Sequence, residues 1–326
     1  MGANDLDAVL VEYGGRIFNG GQLKTRIRRG MTGLKFDDAK TSHGGSRFTP
    51  AGSVRRKLHS FVKRAPQVIV RISGGGRSIR HIKAHMSYIS RNGQLTIEDQ
   101  NGDRLVGKED LAALAEEWRL GGFAIDDRAT SRQAFNIVLS MPAGTSELAV
   151  WRSAREFAQR EFPRFQYTMV LHTHQTDPDK DPSPQPHVHL CMKARGLDGT
   201  KLNPRKNDIH RWRERYAERL RENGLECDAS PRQQRFRRER GEKQSVRHMK
   251  SRGQVLTQVG IGSADAATVR KAKHNASRIL AGYHRLASAL AKSEGALDRK
   301  LAVDLTERVG LMRTAISRQA ELPRDR

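Results

Sequence analysis

The residues with the clearest chemistry lie in one short stretch, Pro186-His187-Val188-His189-Leu190-Cys191. Its composition predicts a strand over 186–193, and side chains on a strand alternate between two faces. His187, His189 and Cys191 then project to one side, Val188 and Leu190 to the other. The two imidazoles stand about 7 Å apart along the strand, a spacing at which both can reach one metal ion. A second His-x-His, His172 and His174, closes the preceding apolar run 166–172. If these strands pair through the loop 175–185, the four histidines converge. Three imidazoles with open coordination positions can hold a divalent ion and polarise a phosphate oxygen. The bland alternative is two unrelated His-x-His pairs, but four of the 12 histidines fall within 172–189. Cys191 reads as a small packing residue rather than a fourth ligand. His174 is open between a metal ligand and a residue that orients one. Asp177, in the loop, is open in the same way.

The second candidate is Tyr88. Residues 78–91 have a helical period, with Ile79, Ile82, Met86 and Ile89 on one side and Asn92-Gly93 as the stop. Tyr88 falls outside that apolar set, on a polar stripe with His81 and His85. A phenol has a pKa near 10 in water. To attack a phosphate it needs a base or a nearby cation, and a metal site offers the cation. An ordinary exposed helix face remains the competing reading of the stripe.

The surrounding elements follow from pattern. Residues 67–73 predict a strand, 94–106 a hairpin around Asn101-Gly102, 108–119 a helix, and 133–140 a buried-type strand ending at Ser140. A helix over 146–162 follows, then the strands 166–172 and 186–193 and a helix over 207–223 carrying Trp212, Tyr216 and Leu220. Consecutive strands joined only by a loop must pair antiparallel. The fold class expected is α+β, a mostly antiparallel sheet with helices on one face. Residues 1–65 read as a basic, Gly-rich arm, partly disordered; 66–240 as the catalytic domain; 241–326 as a basic linker and a helical C-terminal extension.

The chain has 60 Lys+Arg against 36 Asp+Glu, a formal charge of +24. Residues 16–91 carry 18 basic and 2 acidic residues, 92–190 carry 10 and 15, and 191–326 carry 32 and 16. Local density peaks at 231–252, with nine basic residues against two acidic. Basic flanks around a mildly acidic middle fit a catalytic module whose margins hold a polyanion. There is no apolar run of ~18 residues, which excludes a membrane span, and the start shows no secretory pattern. Two cysteines make no disulfide framework, and a cytoplasmic location is expected.

The order of motifs resembles the relaxases, or mobilisation nucleases, of the HUH endonuclease superfamily found on conjugative or mobilisable plasmids and integrative elements. The matching pieces are HMSYISRNG around Tyr88, NIVLSMPAGTS around Ser140, VLHTH around His172, PHVHLCMKA around His187 and His189, and WRERYAERLRENGLECDASPR at 212–232. The resemblance implies an HUH-type palm domain that nicks one DNA strand at an origin of transfer. Tyr88 would become a 5′-phosphotyrosine. His172, His187 and His189 would hold the metal, magnesium or manganese before zinc. Ser140, Arg80, Arg91, Arg232 and Arg235 would contact DNA. Implied partners are single-stranded origin-of-transfer DNA, accessory relaxosome proteins and a type IV secretion coupling protein, the protein travelling with its bound strand into the recipient cell. The family often has an Asp two residues after the first histidine; His174 stands there, and Asp177 is the alternative. Two other readings stay open: an HUH replication initiator or transposase using Tyr216, and a non-enzymatic, metal-stabilised nucleic-acid-binding protein.

Overall fold

The computed structural model describes residues 3–18, 50–125, 128–235, 249, 252–253 and 266–321. They divide into two compact units, Arg64–Ala229 and a second built from Met1–Lys63 with Ser230–Arg326.

The first unit is organised by a six-stranded sheet. Its strands are β1 (Ile69–Gly74), β2 (Ile97–Asp99), β3 (Arg104–Leu105), β4 (Ala134–Ser140), β5 (Tyr167–His172) and β6 (His187–Lys193), in the spatial order β1-β4-β6-β5-β2-β3. Every pairing is antiparallel. The α+β class and the antiparallel pairing of β5 with β6 agree with the sequence reading.

Helices cover both faces of the sheet, where one was expected. On one face lie α3 (Ile79–Ile89) and α4 (Gly107–Leu120), packed through Ile82, Met86, Leu114 and Trp118 against Val170 and Cys191. On the other lie α5 (Glu147–Glu161) and α6 (Lys206–Glu222), whose Phe157, Trp212 and Tyr216 meet Ile137, Leu139, Val188 and Leu190. The reason is visible in the strands. β4 and β5 are buried along almost their whole length, so both of their faces need a cover. Local signals set the helix starts: the Ser78 hydroxyl accepts from the His81 amide and the Ser146 hydroxyl from the Ala149 amide, both N-caps.

The second unit changes the reading of the chain ends. Within the span expected to be a basic arm, Ala3–Phe18 is a helix (α1) and Pro50–Val62 another (α2). They pack with α7 (Ala266–Ala291) and α8 (Ala296–Glu321) around Leu6, Leu10, Leu58, Phe61, Tyr283, Leu290, Leu301 and Leu305. Phe61 stacks on Tyr283 with ring centroids 4.7 Å apart. The Arg55 guanidinium donates to Asp7 at 2.8 Å and to Asp298 at 2.9 Å, joining three of the four helices. The two C-terminal helices are therefore packed against N-terminal partners. Each alone presents an apolar stripe that needs a partner. Most of the Arg-rich stretch 231–252 lies outside the described residues.

Tyr216, the nucleophile of the initiator reading, is fully buried among the core aromatics, 5.8 Å from the Phe157 ring centre. Burial raises its phenol pKa, and its hydroxyl has no hydrogen-bond partner among the described residues. A phosphodiester cannot reach it, so the structure assigns Tyr216 to packing. Tyr216→Phe deletes only an unpartnered hydroxyl and is expected to change stability by less than about 1 kcal/mol. Tyr216→Ala opens a cavity and should cost about 3–5 kcal/mol. Urea unfolding of the two variants checks both values.

Candidate active site

The sheet register gathers the histidines. His172, at the end of β5, pairs directly with His187 at the start of β6, and Val170 pairs with His189. Directly opposed residues on antiparallel strands share a face, and His187 and His189 share it by alternation. The ring centroids lie 5.1 Å (172–187), 4.7 Å (172–189) and 5.0 Å (187–189) apart. One ligand nitrogen from each lies within 4.8 Å of the others. Val188 and Leu190 point into the opposite core, as alternation requires.

Each ring is held differently. His172 is fully buried; its Nδ1 lies 2.7 Å from Asp177 Oδ2 and its Nε2 lies 2.6 Å from the Ile89 carbonyl. His187 Nδ1 sits 2.9 Å from the Gln185 carbonyl, which marks Nδ1 as the protonated nitrogen and leaves Nε2 as the lone-pair donor. His189 Nδ1 is buried and has no hydrogen-bond partner among the described residues. Burial lowers the pKa of His187, and lowers that of His189 further, with the neighbouring His172 adding to the effect in both. Both rings are therefore neutral at pH 7, the state a metal ligand needs. An all-nitrogen set with an orphaned buried nitrogen and a carboxylate behind one ring fits a divalent ion, provided His172 Nε2 exchanges its contact with the Ile89 carbonyl for the metal.

His174 and Asp177 separate clearly. His174 is exposed and turns to the Pro182 carbonyl, 3.2 Å from its Nδ1. Asp177 is buried and orients His172. The Arg91 guanidinium clasps Asp177 through two bonds of 2.8 and 2.9 Å and reaches Asp179 at 3.2 Å. This pair, with backbone and His172 hydrogen bonds, holds the Asp177 carboxyl far below its usual pKa against the opposing effect of burial.

Tyr88 is 57% exposed, near the C-terminal end of α3. The Arg91 guanidinium carbon stands 5.3 Å from its ring centre. His85 stacks beside Tyr88 at 6.5 Å and meets His189 edge-on at 6.4 Å. One imidazole thus separates the tyrosine from the histidine cluster. Beyond Tyr88 the backbone turns sharply: Arg91 and Asn92 adopt φ of 52° and 58°, and Gly93 follows at 84°. A Cβ on Gly93 would come within 2.6 Å of the Gly107 backbone, so only glycine fits there.

The remaining sequence candidates scatter. Ser140 pairs with His187 across β4 and β6, with its hydroxyl close to the Met141 and Pro186 carbonyls, each 3.4 Å away. Arg80 is exposed on the first turn of α3. Arg91 is committed to Asp177 and Tyr88, which removes it from the set of free DNA-facing cations. Arg235 is half-buried in the helical unit, and the Arg232 side chain lies outside the described residues. Cys191 is buried under the site, its thiol pushed up to about 12 by desolvation, so it packs. Sequence reasoning flagged Arg91 and Asp177 separately and missed their pairing. It also missed the Ile89 carbonyl, which no side-chain motif signals.

Residues 88–225 match the family described as relaxase, MobA/VirD2-like, nuclease domain. This segment is therefore similar to relaxase nuclease domains. Among curated relatives, the T-DNA border endonuclease VirD2 of Rhizobium radiobacter is 28% identical over 189 residues, covering 52% of this chain and 43% of that protein. VirD2 of Agrobacterium fabrum strain C58 is 29% identical over 189 residues, covering 52% and 40%. The chain spans less than half the length of these relatives.

The contact between Asp177 and His172 makes a definite prediction. Asp177→Asn should weaken Mn²⁺ binding about 10–100-fold, while His174→Ala should leave it unchanged. Isothermal titration calorimetry on the metal-stripped chain reads both, with Mn²⁺-induced shifts in Tm as a second measure.

Proposed function

We propose that this chain is a DNA relaxase, a strand-specific endonuclease that joins itself covalently to DNA through Tyr88. The observation that carries the reading is an exposed tyrosine with a guanidinium over its ring, one imidazole away from a three-histidine cluster. The match of residues 88–225 to relaxase nuclease domains supports it.

The reaction needs a phenolate, a phosphate made electrophilic and a leaving oxygen. When bound at His172, His187 and His189, a divalent ion supplies the charge that polarises a non-bridging oxygen of the scissile phosphate; magnesium and manganese are proposed ahead of zinc. The Arg91 guanidinium, fixed by Asp177, lies over the phenol ring and holds it in place. His85 is a poor candidate for the base. Burial lowers its pKa to about 4, some six units under an ordinary phenol near 10. The phenolic proton therefore leaves to water, to which Tyr88 is open. The Tyr88 oxygen bonds to phosphorus as the bond from phosphorus to the 3′ oxygen breaks. That oxygen takes a proton from water, leaving a 3′-hydroxyl and a 5′-phosphotyrosine. One phosphodiester replaces another, so the strand can be rejoined by the reverse steps without ATP. Ser140, beside His187, and Arg80, on the same helix as Tyr88, are proposed to hold the strand near the nick.

The substrate proposed is the single-stranded region of an origin of transfer on a plasmid or integrative element. Accessory relaxosome proteins and a type IV coupling protein are the proposed partners, and the bound strand is carried from the cytoplasm to the recipient. Among the described residues no helix is long and apolar enough to cross a membrane.

The test is a supercoiled plasmid carrying the intergenic DNA that neighbours the gene, incubated with the protein and Mg²⁺ or Mn²⁺. Protein attached to a 5′ end is expected. Tyr88→Phe should reduce the adduct on the order of 10³-fold or more without unfolding the chain. Supercoils left intact across all candidate origins and both metals, with the chain unfolding on chelation, would instead support the metal-stabilised binding protein.

A further inference from the structure

The Arg64–Ala229 unit holds a second cationic feature at the opposite end of the same strands. In the register of β4 with β6, Ser140 opposes His187 at one end and Ala134 opposes Lys193 at the other. Six residues of strand place the two ends about 20 Å apart. At the far end lies a polar cleft of about 350 Å³, lined by Phe123, Ser131, Arg132, Lys193, Arg195 and Lys201 among others. A second cleft of about 290 Å³ shares Ser131, Arg132 and Lys201 with it and continues past Ile72 and Asn203. The two form one groove divided at Arg132 and Lys201.

Its charge is one-sided. No carboxylate lines either cleft among the described residues. Arg132, Arg195 and Lys201 are exposed and make no ion pair among the described residues. Lys193 is different: it is buried, and its ammonium donates to the Trp118 and Gly121 carbonyls and to Gln166, so it braces the wall. Residues 64–229 contain 26 basic and 22 acidic residues, a net of only +4, and Arg91, Arg155, Arg164 and Arg215 are all paired with acids. The groove also carries a flat aromatic surface. Phe123 is 38% exposed, and the Arg195 guanidinium lies 4.9 Å from its ring centre. Unpaired cations along a groove beside a stacking surface are the two elements of a single-strand binding path.

We propose that this groove binds a segment of single-stranded DNA away from the nick, with phosphates at Arg132 and Lys201 and a base against the Phe123–Arg195 surface. An elongated groove with an aromatic surface fits a polynucleotide better than a lone phosphate ion. The inference rests on the nuclease reading only for the choice of DNA over RNA.

The experiment uses the full chain carrying Tyr88→Phe, so that covalent capture does not contribute, and a labelled oligonucleotide of about 30 nucleotides, longer than the ~4–16 that one single-strand groove covers. Fluorescence anisotropy at several salt concentrations gives the slope of log K against log salt. Arg132→Ala with Lys201→Ala is expected to reduce that slope by about 1.4, two phosphates at ~0.7 each. Phe123→Ala is expected to weaken binding about ten-fold with the slope unchanged. Lys108→Ala, on the exposed start of α4, is the charge control. An unchanged slope in the double variant overturns the inference. Equal loss for a duplex of the same sequence, or displacement of the strand by inorganic phosphate at millimolar level, overturns its assignment to single-stranded DNA. The nuclease reading fails separately: a wild-type chain with no covalent adduct, whose strand binding still depends on Arg132 and Lys201, sinks that reading and keeps this one.

Discussion

The imidazole of His172 is held from both sides, and the geometry of the site depends on that clamp. Its Nδ1 meets Asp177 and its Nε2 meets the Ile89 carbonyl. Asp177 is in turn clasped by Arg91, two residues beyond Ile89 in the chain. The four residues close a ring: strand end to helix end, helix end to loop, loop back to strand. Tyr88 immediately precedes Ile89 and is therefore fixed relative to the histidine strands by contacts it does not itself make. The acidic half of the ion pair inside the ring is almost dry, the Asp177 side chain being 2% exposed against 19% for Arg91. Removing one member of such a pair leaves a buried charge alone, at a cost of about 3–5 kcal/mol. The left-handed conformation of Arg91 is unfavourable for a non-glycine residue, and the pair with Asp177 offsets it.

The clamp works only because the sheet behind it is rigid. β6 is central, with β4 and β5 on either side, and both of its faces are covered. His187 and His189 stand at the one end of β6 where the cover stops short. A shift of one residue in register would turn both imidazoles into the α5–α6 core. The apolar alternation of Val188, Leu190 and Met192 against the aromatic core of α5 and α6 prevents that shift.

How much of this is legible in the sequence depends on the range of the interaction. The His-x-His strand is legible because alternation on a strand is local. Tyr88 off its apolar stripe is legible for the same reason at helical period. The partition between His174 and Asp177 is not, because it is decided by a loop fold and by an arginine 86 positions upstream of Asp177. Arg91 reads as one more DNA-facing cation until its carboxylate partner is known. The cover on the second face of the sheet also escapes a local reading: near-continuous apolar runs in β4 and β5 signal it, but which helices supply it is a matter of topology. The four-helix unit escapes for a stronger reason. Its halves are separated in sequence by the whole Arg64–Ala229 unit, and α1 and α2 have short apolar stripes that gain meaning only against α7 and α8.

The charge of the chain takes a different form once the units are known. Residues 64–229 hold +4, while the remainder, with 34 basic and 14 acidic residues, holds +20. His187 and His189 are kept neutral by burial, and Arg91 is cancelled by Asp177. A divalent ion held by the three histidines would be the dominant local field there, in a place where few solvent dipoles weaken it. Long-range capture then falls to cations that stay unpaired and exposed, since only those keep a field beyond their own partner. The division is a consequence of dielectric. Charge that must act at short range is buried and balanced, and charge that must act at long range is left in water, where salt sets its reach.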